Sequence, residues 1–266
     1  MDLGLMDLGG RVVVVTGAGS GIGRATAVAL ARAGAAVTGL DRVGATVEET
    51  AELIVAAGGS AAAAAVDVTD RAAVEGAVAE VVARSGRLDG WVNGAGIMRY
   101  GRVVDLTEDD LDAVMAVNFK GVLFGSQAAA RQMLAVGSGG SIVNVASAIL
   151  DGPQPKMAAY GASKAAVSHL SRTLALEVGR HGIRVNVVAP GWTRTSMTEA
   201  QFVAEDGTLD EAAAADTVAL QARFTPLRRV AEAEDAAATI HWLLSDASAF
   251  ITGQTLRPHG GITMPW

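Results

Sequence analysis

Short apolar runs alternate with longer alanine-rich stretches along this chain. The first run, at residues 11–15, holds four consecutive valines, and such a run without polar alternation is typical of a strand buried on both faces. The stretch at 22–33 favours a helix, and Gly34 follows it where helices commonly enter the left-handed conformation. Further strands are predicted at residues 35–40, 60–66, 88–93, 141–146, 184–188 and 255–258. Further helices are predicted at residues 45–57, 70–85, 108–136, 158–181 and 232–245. This alternation predicts an α/β fold, a doubly wound parallel sheet with helices on both faces.

The composition indicates one soluble domain. The 266 residues, half of them hydrophobic, can bury one substantial core, so we expect a single domain over residues 1–266. A net charge of −7 argues against binding to nucleic acid or to an anionic membrane. No apolar segment is long enough to span a membrane, and the first residues lack the basic flank of a secretory signal, so we expect cytoplasmic residence. Cysteine is absent, and the four histidines (His169, His181, His241 and His259) show no ligand-like spacing, so no metal site is expected.

A glycine-rich turn at residues 16–23 joins the first predicted strand to the first predicted helix. Gly17, Gly21 and Gly23 let the backbone approach a pyrophosphate without a side-chain clash, and the helix N-terminus offers N–H groups and a partial positive charge. A tight turn that binds nothing has the same pattern, but here Asp41 follows about twenty positions after Gly21, at the end of the second strand. The combination predicts a Rossmann-type dinucleotide-binding domain.

Asp41 also bears on the choice of cofactor. A carboxylate at this position can accept hydrogen bonds from the ribose hydroxyls and would repel a 2′-phosphate, so we expect NAD rather than NADP. Arg42 complicates this prediction because a guanidinium can receive a phosphate. Ser20 is not basic, so NADP is the second choice.

Three residues in the second half of the chain have the spacing of a proton-transfer site. Tyr160 and Lys164 lie four positions apart on a predicted helix and therefore share one face. The lysine cation is expected to lower the pKa of the phenol from about 10 toward working pH, so that Tyr160 serves as general acid in reduction and general base in oxidation. Ser147 follows a predicted strand, where its hydroxyl can hydrogen-bond a substrate oxygen as charge develops. Each residue alone could be an ordinary surface or turn residue, but the spacing of all three favours catalysis.

Together these motifs resemble the short-chain dehydrogenases/reductases in their shorter, single-domain form, over nearly the whole chain. The resemblance implies that Asn118 is a fourth catalytic residue, which holds a water that passes protons between Lys164 and solvent. It also implies a cofactor-binding set, which consists of Gly17, Ser20, Gly21, Ile22, Gly23, Asp41, Arg42, Asp67, Val68, Asn93, Ala95, Gly96, Tyr160, Lys164, Pro190, Gly191, Thr193 and Thr195. The chain departs from the family pattern twice: Gly94 replaces an asparagine and is expected to loosen its segment, and His259 replaces an aspartate.

The same resemblance places a substrate lid at residues 192–226. The lid carries apolar residues and acids, among them Glu205, Asp206 and Asp210, and its closure would exclude water from the bound pair. The expected substrate-binding residues are Ser147, Tyr160, Met98, Trp192 and Met197. We expect the substrate to be a secondary alcohol or ketone of cyclic or hydrophobic character. The helices predicted from residue 108 and from residue 158 are apolar on more than one face, which indicates an oligomer, and the resemblance implies a homotetramer.

Two other functions would use the same residues. An NADPH-dependent 3-oxoacyl-type reductase would share the catalytic set, but a basic residue near Ser20 would serve it better than Asp41 does. A non-catalytic nucleotide-binding protein could share the fold, because a fold does not determine a function. Intact Tyr160 and Lys164 argue against that second alternative. An extended epimerase-type relative fits the glycine spacing and the chain length less well.

Overall fold

The computed structural model of this protein describes residues 3–204 and 207–264. Its strands are β1 (Val12–Thr16), β2 (Ala36–Asp41), β3 (Ser60–Ala65), β4 (Gly90–Asn93), β5 (Gly140–Val145), β6 (Ile183–Val188) and β7 (Thr255–Leu256). Within the described residues these strands form one parallel sheet in the order β3-β2-β1-β4-β5-β6-β7. The predicted doubly wound parallel sheet is therefore confirmed.

Helices connect the strands in the predicted places. The α-helices are α1 (Gly21–Arg32), α2 (Gly44–Ala56), α3 (Arg71–Ser85), α4 (Glu108–Met115), α5 (Val122–Val136), α6 (Ala158–Val178), α7 (Ser196–Glu199), α8 (Glu211–Phe224) and α9 (Ala233–Leu244). Short 3₁₀ turns lie at Leu3–Met6, Val103–Asp105, Ala148–Leu150, Gly179–His181, Ala200–Phe202 and Asp246–Ser248. Gly34 has φ +95°, so the left-handed end of the first helix is also confirmed. None of the helices in the described ranges has the length and apolar character needed to cross a membrane.

Two hydrophobic clusters cover the two faces of the sheet. Val12 and Val14 of β1 belong to a cluster with residues of α3, α5 and α6, whereas Val13 and Val15 belong to a second cluster with residues of α1, α2 and α9. Successive side chains of a strand point to opposite faces, so a strand buried on both sides needs an uninterrupted apolar run. The run of valines meets this need, and each buried valine stabilises the fold by about 1.5 kcal/mol or more.

The helix predicted at 108–136 is interrupted. The chain forms α4, then a π-helical turn at Ala116–Gly121, then α5. A π-helical turn carries an extra residue and therefore rotates the side chains that follow it, and such turns are frequent at functional sites. Asn118 lies in this turn, so the interruption changes the environment of a predicted catalytic residue.

The predicted lid contains two helices that the sequence did not predict, α7 and α8. Asp210 is the N-cap of α8, where its Oδ1 accepts a hydrogen bond of 3.0 Å from the backbone N–H of Ala213. Its role is therefore to begin a helix. The other two acids predicted in the lid, Glu205 and Asp206, lie outside the described residues.

Candidate active site

A cleft of about 900 Å³ opens at the carboxyl ends of the strands. β1 lies between β2 and β4 in the sheet, so the direction of winding reverses there, and such a reversal leaves a crevice between the loops on either side. Asp41, the last residue of β2, and Asp67, which follows β3, line one end of the cleft. Ser147, Tyr160 and Trp192 line the other end. The cleft therefore joins the predicted nucleotide end to the predicted catalytic end.

The glycine turn forms the floor between the two ends. A Cβ built at Gly17 would lie 2.7 Å from the backbone N of Ala95, and one built at Gly23 would lie 1.9 Å from the carbonyl oxygen of Gly17. Side chains at either position are therefore excluded, and the backbone itself faces the cleft. α1 begins at Gly21, and its first turn carries no acid, as an anion-binding helix N-terminus requires. The predicted turn residues all line the cleft, namely Gly17, Ser20, Gly21, Ile22 and Gly23.

Asp41 is held rigidly at the nucleotide end. Its Oδ2 accepts a hydrogen bond of 3.0 Å from the N–H of Gly19, and its Oδ1 accepts one of 3.1 Å from the N–H of Val43. A carboxylate has about four lone-pair sites, so two remain for ribose hydroxyls. The half-buried carboxylate is therefore oriented for the role that the sequence predicts.

A second acid and an arginine line the same end. Hydrogen bonds from the backbone N–H and the hydroxyl of Thr69, together with the charge of Arg42, hold the pKa of Asp67 below its ordinary value. Arg42 is exposed, and Val68 is buried beside Asp67 in the cleft wall. The residues at this end fit a nicotinamide dinucleotide. The Arg42 guanidinium could pair with a 2′-phosphate, so this end could take a cofactor with a 2′-phosphate as well as one with a 2′-hydroxyl.

The segment after β4 packs closely on the glycine turn. The backbone N–H groups of Gly94 and Ala95 both donate to the Thr16 hydroxyl, at 3.1 and 3.2 Å. A Cβ built at Gly94 would lie 2.7 Å from the carbonyl oxygen of Thr16. The expectation that Gly94 loosens this segment is therefore wrong, because the missing side chain allows a close backbone contact. Ala95 and Gly96 line the cleft as predicted.

Ser147, Tyr160 and Lys164 line the same stretch of the cleft. Ser147 follows β5, Tyr160 lies in the first turn of α6, and Lys164 lies one turn later. The Lys164 Nζ lies 5.6 Å from the centroid of the Tyr160 ring and donates a hydrogen bond of 2.9 Å to the carbonyl oxygen of Val145. Both Tyr160 and Lys164 are buried, whereas Ser147 is half-buried. The spacing in the sequence thus becomes proximity in the fold.

The expected lowering of the Tyr160 pKa is wrong for this structure. Burial disfavours the phenolate and raises the pKa of Tyr160 to about 12, and hydrogen bonding to Ser147 offsets only part of that shift. Burial also lowers the pKa of Lys164 to about 8, because the ammonium loses its hydration. The loss of water around each group therefore sets the direction of its pKa shift.

Asn118 occupies a different position from the other three predicted catalytic residues. Its side chain is fully buried: Oδ1 accepts a hydrogen bond of 2.8 Å from the N–H of Ile97, and Nδ2 donates to the carbonyl of Ile97 at 2.9 Å and to Ser163 Oγ at 3.2 Å. A Cβ built at Gly96 would lie 3.3 Å from Asn118 Oδ1 and 3.6 Å from Lys164 Nζ. The amide therefore lies close to Lys164 but does not line the cleft, and it anchors the segment after β4.

The Asn93 side chain lies in the core and not in the cleft, so its cofactor contact stays a prediction. This side chain is buried in the core, where Nδ2 donates to Ser126 Oγ at 3.0 Å and to Asn144 Oδ1 at 2.7 Å. Its Oδ1 accepts a hydrogen bond of 2.7 Å from Trp91 Nε1. The amide joins β4 to its neighbours and has no face toward the cleft.

The loop after β6 covers the cleft from the other side. Pro190, Gly191 and Thr195 line the cleft, and the Thr195 side chain lies about 3.2 Å from a Cβ built at Gly21, so the loop reaches the glycine turn. Thr193 does not line it: its side chain is buried and donates a hydrogen bond of 3.1 Å to the carbonyl of Gly191. The Thr193 side chain therefore stabilises the loop, and the cofactor contact of this residue stays a prediction.

His259 supports the wall of the cleft near its substrate end. It is buried, and its Nδ1 accepts a hydrogen bond of 3.1 Å from the N–H of Gly261 while its Nε2 lies 3.1 Å from the Thr263 hydroxyl. Burial lowers the pKa of this imidazole, which keeps Nδ1 free of a proton. Ile262 and Thr263 line the cleft, so the histidine that departs from the family pattern fixes a turn in the cleft wall.

The predicted substrate residues Met98, Trp192 and Met197 all line the cleft. The structure adds residues that the sequence analysis did not identify, namely Tyr100, Gln154, Lys156, Thr217, Gln221 and Thr263. Two of them carried a usable signal: Tyr100 is the only tyrosine besides Tyr160, and Lys156 is one of three lysines in the chain. Nowhere in the described ranges do three His, Asp or Glu side chains gather as a metal ion would require.

Comparison with known proteins gives concordant results. A family model described as short chain dehydrogenase matches residues 11–206. A short chain dehydrogenase/reductase of Aspergillus oryzae is 39% identical over 259 residues, which cover 97% of this chain and 96% of the relative. A 3-oxoacyl-[acyl-carrier-protein] reductase of Thermotoga maritima is 37% identical, with 97% and 100% of the two chains covered. The crystal structure of a gluconate 5-dehydrogenase from Burkholderia cenocepacia in complex with NADP and tartrate has 35% identity and a TM-score of 0.90, with 100% of both chains covered.

Proposed function

The chain belongs to the short-chain dehydrogenase family and is an oxidoreductase that acts on CH–OH groups, and on that premise we propose that it interconverts a secondary alcohol and its ketone with NAD. One observation carries this proposal: a single cleft has the glycine turn and Asp41 at one end and Ser147, Tyr160 and Lys164 at the other. A nicotinamide dinucleotide, when bound, supplies or accepts the hydride, and the protein supplies orientation and proton transfer.

The protein's part in ketone reduction follows from the ionisation of the site. The Ser147 hydroxyl donates a hydrogen bond to the carbonyl oxygen and stabilises the negative charge that develops there. Tyr160 is protonated at neutral pH, because burial raises its pKa to about 12, and it donates this proton to the same oxygen. The nearby Lys164 ammonium then stabilises the phenolate. In oxidation the phenolate takes the proton from the alcohol, so oxidation is expected to accelerate as pH rises.

The preference for NAD rests on Asp41. The carboxylate is fixed by Gly19 and Val43, retains lone pairs for the ribose hydroxyls, and would repel a 2′-phosphate. NADP is the alternative cofactor, since Arg42 lines the same end of the cleft and the similar gluconate 5-dehydrogenase binds NADP.

The substrate end of the cleft is lined largely by apolar side chains, which supports a cyclic or hydrophobic carbon skeleton. Met98, Trp192 and Met197 are joined there by Ile149 and Met157. A 3-oxoacyl-type reductase activity is the second candidate, and it is favoured by the similarity to the Thermotoga maritima reductase. The third candidate is not an enzyme but a nucleotide-binding protein without catalytic activity, and turnover of any alcohol or ketone would refute it.

A homotetramer with α4, α5 and α6 in one interface is part of the proposal. Exposed apolar side chains on these helices support it, and they are Leu111, Leu134, Val136 and Leu176. A tetramer that buries such side chains gains hydrophobic stabilisation. Residence in the cytoplasm stays a prediction from the sequence.

Steady-state kinetics test the proposal. Purified protein is mixed with NAD or NADP and a panel of cyclic and aliphatic secondary alcohols, and the absorbance of the reduced nicotinamide is followed. The proposal predicts turnover with NAD that Tyr160→Phe abolishes, because phenylalanine keeps the ring and removes the proton donor. Turnover with NADP alone would refute the cofactor assignment. NAD binding without turnover of any alcohol or ketone would support the non-catalytic alternative.

A further inference from the structure

We propose that the substrate of this site is a hydroxy acid or keto acid whose carboxylate is bound by Lys156 at the mouth of the cleft. This inference rests on the proposed oxidoreductase function and names the class of alcohol. Lys156 lies in the loop between Ser147 and α6, four positions before Tyr160, and it lines the cleft. This loop follows β5, on the opposite half of the sheet from β2 and β3. Lys156 therefore belongs to the substrate end.

The charge of Lys156 has no counter-ion in the described part of the chain, where its side chain has neither an ion pair nor a hydrogen bond. The acids that line the cleft, Asp41 and Asp67, lie at the nucleotide end. Three arginines beside the substrate end are each paired with an acid: Arg99 with Asp110, Arg194 with Glu199 and Arg257 with Asp151. Lys156 is thus a cation that lines the cleft and is available to a ligand, whereas these three arginines are paired with acids.

The backbone at Lys156 adopts a conformation that lysine disfavours. Its φ is +68°, and Arg228 is the only other non-glycine residue in the described ranges with positive φ. A hydrogen bond of 2.9 Å from the N–H of Gly101 to the Lys156 carbonyl holds the loop in place. Glycine would adopt this φ without strain, so a lysine here indicates a use for the side chain.

Neutral polar residues at the substrate end of the cleft also suit an oxygen-rich anion. Gln154 and Gln221 line the substrate end, as do Tyr100 and Thr263. Amide N–H and hydroxyl groups can donate to the second carboxylate oxygen while the ammonium pairs with the first. The apolar side chains that line the same end of the cleft then contact the carbon skeleton.

Matched substrate pairs test the proposal with the full-length protein and NAD. One pair is cis-3-hydroxycyclohexanecarboxylate and cis-3-(hydroxymethyl)cyclohexanol, and the other is 3-hydroxybutyrate and butane-1,3-diol. Each pair shares the secondary alcohol and differs in the charge of one substituent. We expect kcat/KM to be about fivefold or more higher for the carboxylate than for the matched neutral alcohol, mainly through a lower KM. This preference should decrease at high salt, because the ion pair between Lys156 and the carboxylate is exposed to solvent.

Variants of Lys156 assign that preference to its charge. Lys156→Gln and Lys156→Gly should both lower kcat/KM for the carboxylate more than kcat/KM for the matched neutral alcohol, so that the preference is lost, and Lys156→Arg should keep most of it. The glycine variant relieves the left-handed strain, so it separates charge from folding. Lys120→Gln, which removes the charge of an exposed lysine outside the cleft, should change neither member of a pair.

Four outcomes would overturn the inference. Equal use of both members of each pair by the wild type would show that the carboxylate is not recognised. Equal losses on both members in Lys156→Gln and Lys156→Gly would show a structural role for the loop. Turnover of other panel alcohols with neither pair oxidised would refute the inference and leave the proposed function intact, whereas no turnover of any alcohol would refute the proposed function and the inference with it.

Discussion

Replacement of Lys164 by methionine tests whether burial controls the ionisation of the site. The lysine side chain is only 4% exposed, and its pKa falls from 10.5 to about 8. One pKa unit corresponds to about 1.4 kcal/mol, so keeping this lysine charged in the folded protein costs about 3 kcal/mol at neutral pH. Methionine has a similar length and no charge. Lys164→Met is therefore expected to be more stable than the wild type at pH 7, by up to about 3 kcal/mol less the contribution of the lost hydrogen bond to Val145.

The direction of the pH dependence follows from the lowered pKa. Between pH 8 and pH 10.5 the unfolded chain holds a proton on Lys164 that the folded chain has released, so the free energy of unfolding of the wild type rises with pH in this window. Below pH 8 both states are protonated and the full cost remains. The advantage of Lys164→Met should thus shrink by about 3 kcal/mol between pH 7 and pH 10.5. The raised pKa of Tyr160 acts with the opposite sign above pH 10 in both proteins and cancels to first order.

Urea denaturation followed by tryptophan fluorescence measures this difference. The titrations are run at several pH values from 7 to about 10, at one protein concentration, because assembly would make the stability depend on concentration. Lys120→Met is the control, since Lys120 is exposed and its replacement should give no such trend. A stability difference that stays constant across the pH range would refute the assignment of a lowered pKa to Lys164.

Three other predictions follow from single contacts. Asp41→Ser should lower kcat/KM for NAD about tenfold and raise it for NADP, because a charged acceptor is lost and the repulsion of a 2′-phosphate is removed; an unchanged ratio of the two values would contradict the role of Asp41. Gly94→Ala should destabilise the protein by about 1–3 kcal/mol in thermal unfolding, since its Cβ would meet the carbonyl of Thr16 at 2.7 Å, and wild-type stability would show that no close contact exists. Protonation of His259 would break the hydrogen bond that its Nδ1 accepts from Gly261, which fixes a turn in the cleft wall, so the substrate KM should rise when the imidazole is protonated. Because burial lowers the pKa of His259, this rise in KM should occur only at pH values below the ordinary histidine pKa of 6.5. His259→Asn should lack that rise, and a wild-type KM that is flat down to about pH 5 would count against the idea.

The sheet and the nucleotide end could be predicted because short-range patterns encode them. Four consecutive valines at 12–15 predict a strand buried on both faces, and the glycines that follow predict a backbone that faces a ligand. The spacing of Tyr160 and Lys164 predicts a shared helix face, because the helical repeat is fixed.

Features that depend on distant parts of the chain could not be predicted. The close backbone contact that Gly94 allows is made with Thr16, which lies 78 positions away in the sequence. The ion pair between Arg257 and Asp151 spans 106 positions. The pKa of Tyr160 was predicted in the wrong direction because the sequence shows its charged neighbour but not the depth of burial. No residue type marks the π-helical turn at Asn118, so the helix appeared continuous.

A labelled substrate tests whether the hydride passes directly from the alcohol to the cofactor in this cleft. The secondary alcohol that is oxidised best is prepared with deuterium on its carbinol carbon and incubated with NAD and the wild-type protein, and the reduced cofactor is analysed by mass spectrometry. Direct transfer should give a reduced cofactor that carries the deuterium. Tyr160→Phe should form this labelled cofactor far more slowly than the wild type. Reduced cofactor without deuterium, or a Tyr160→Phe variant as fast as the wild type, would contradict direct hydride transfer at this site.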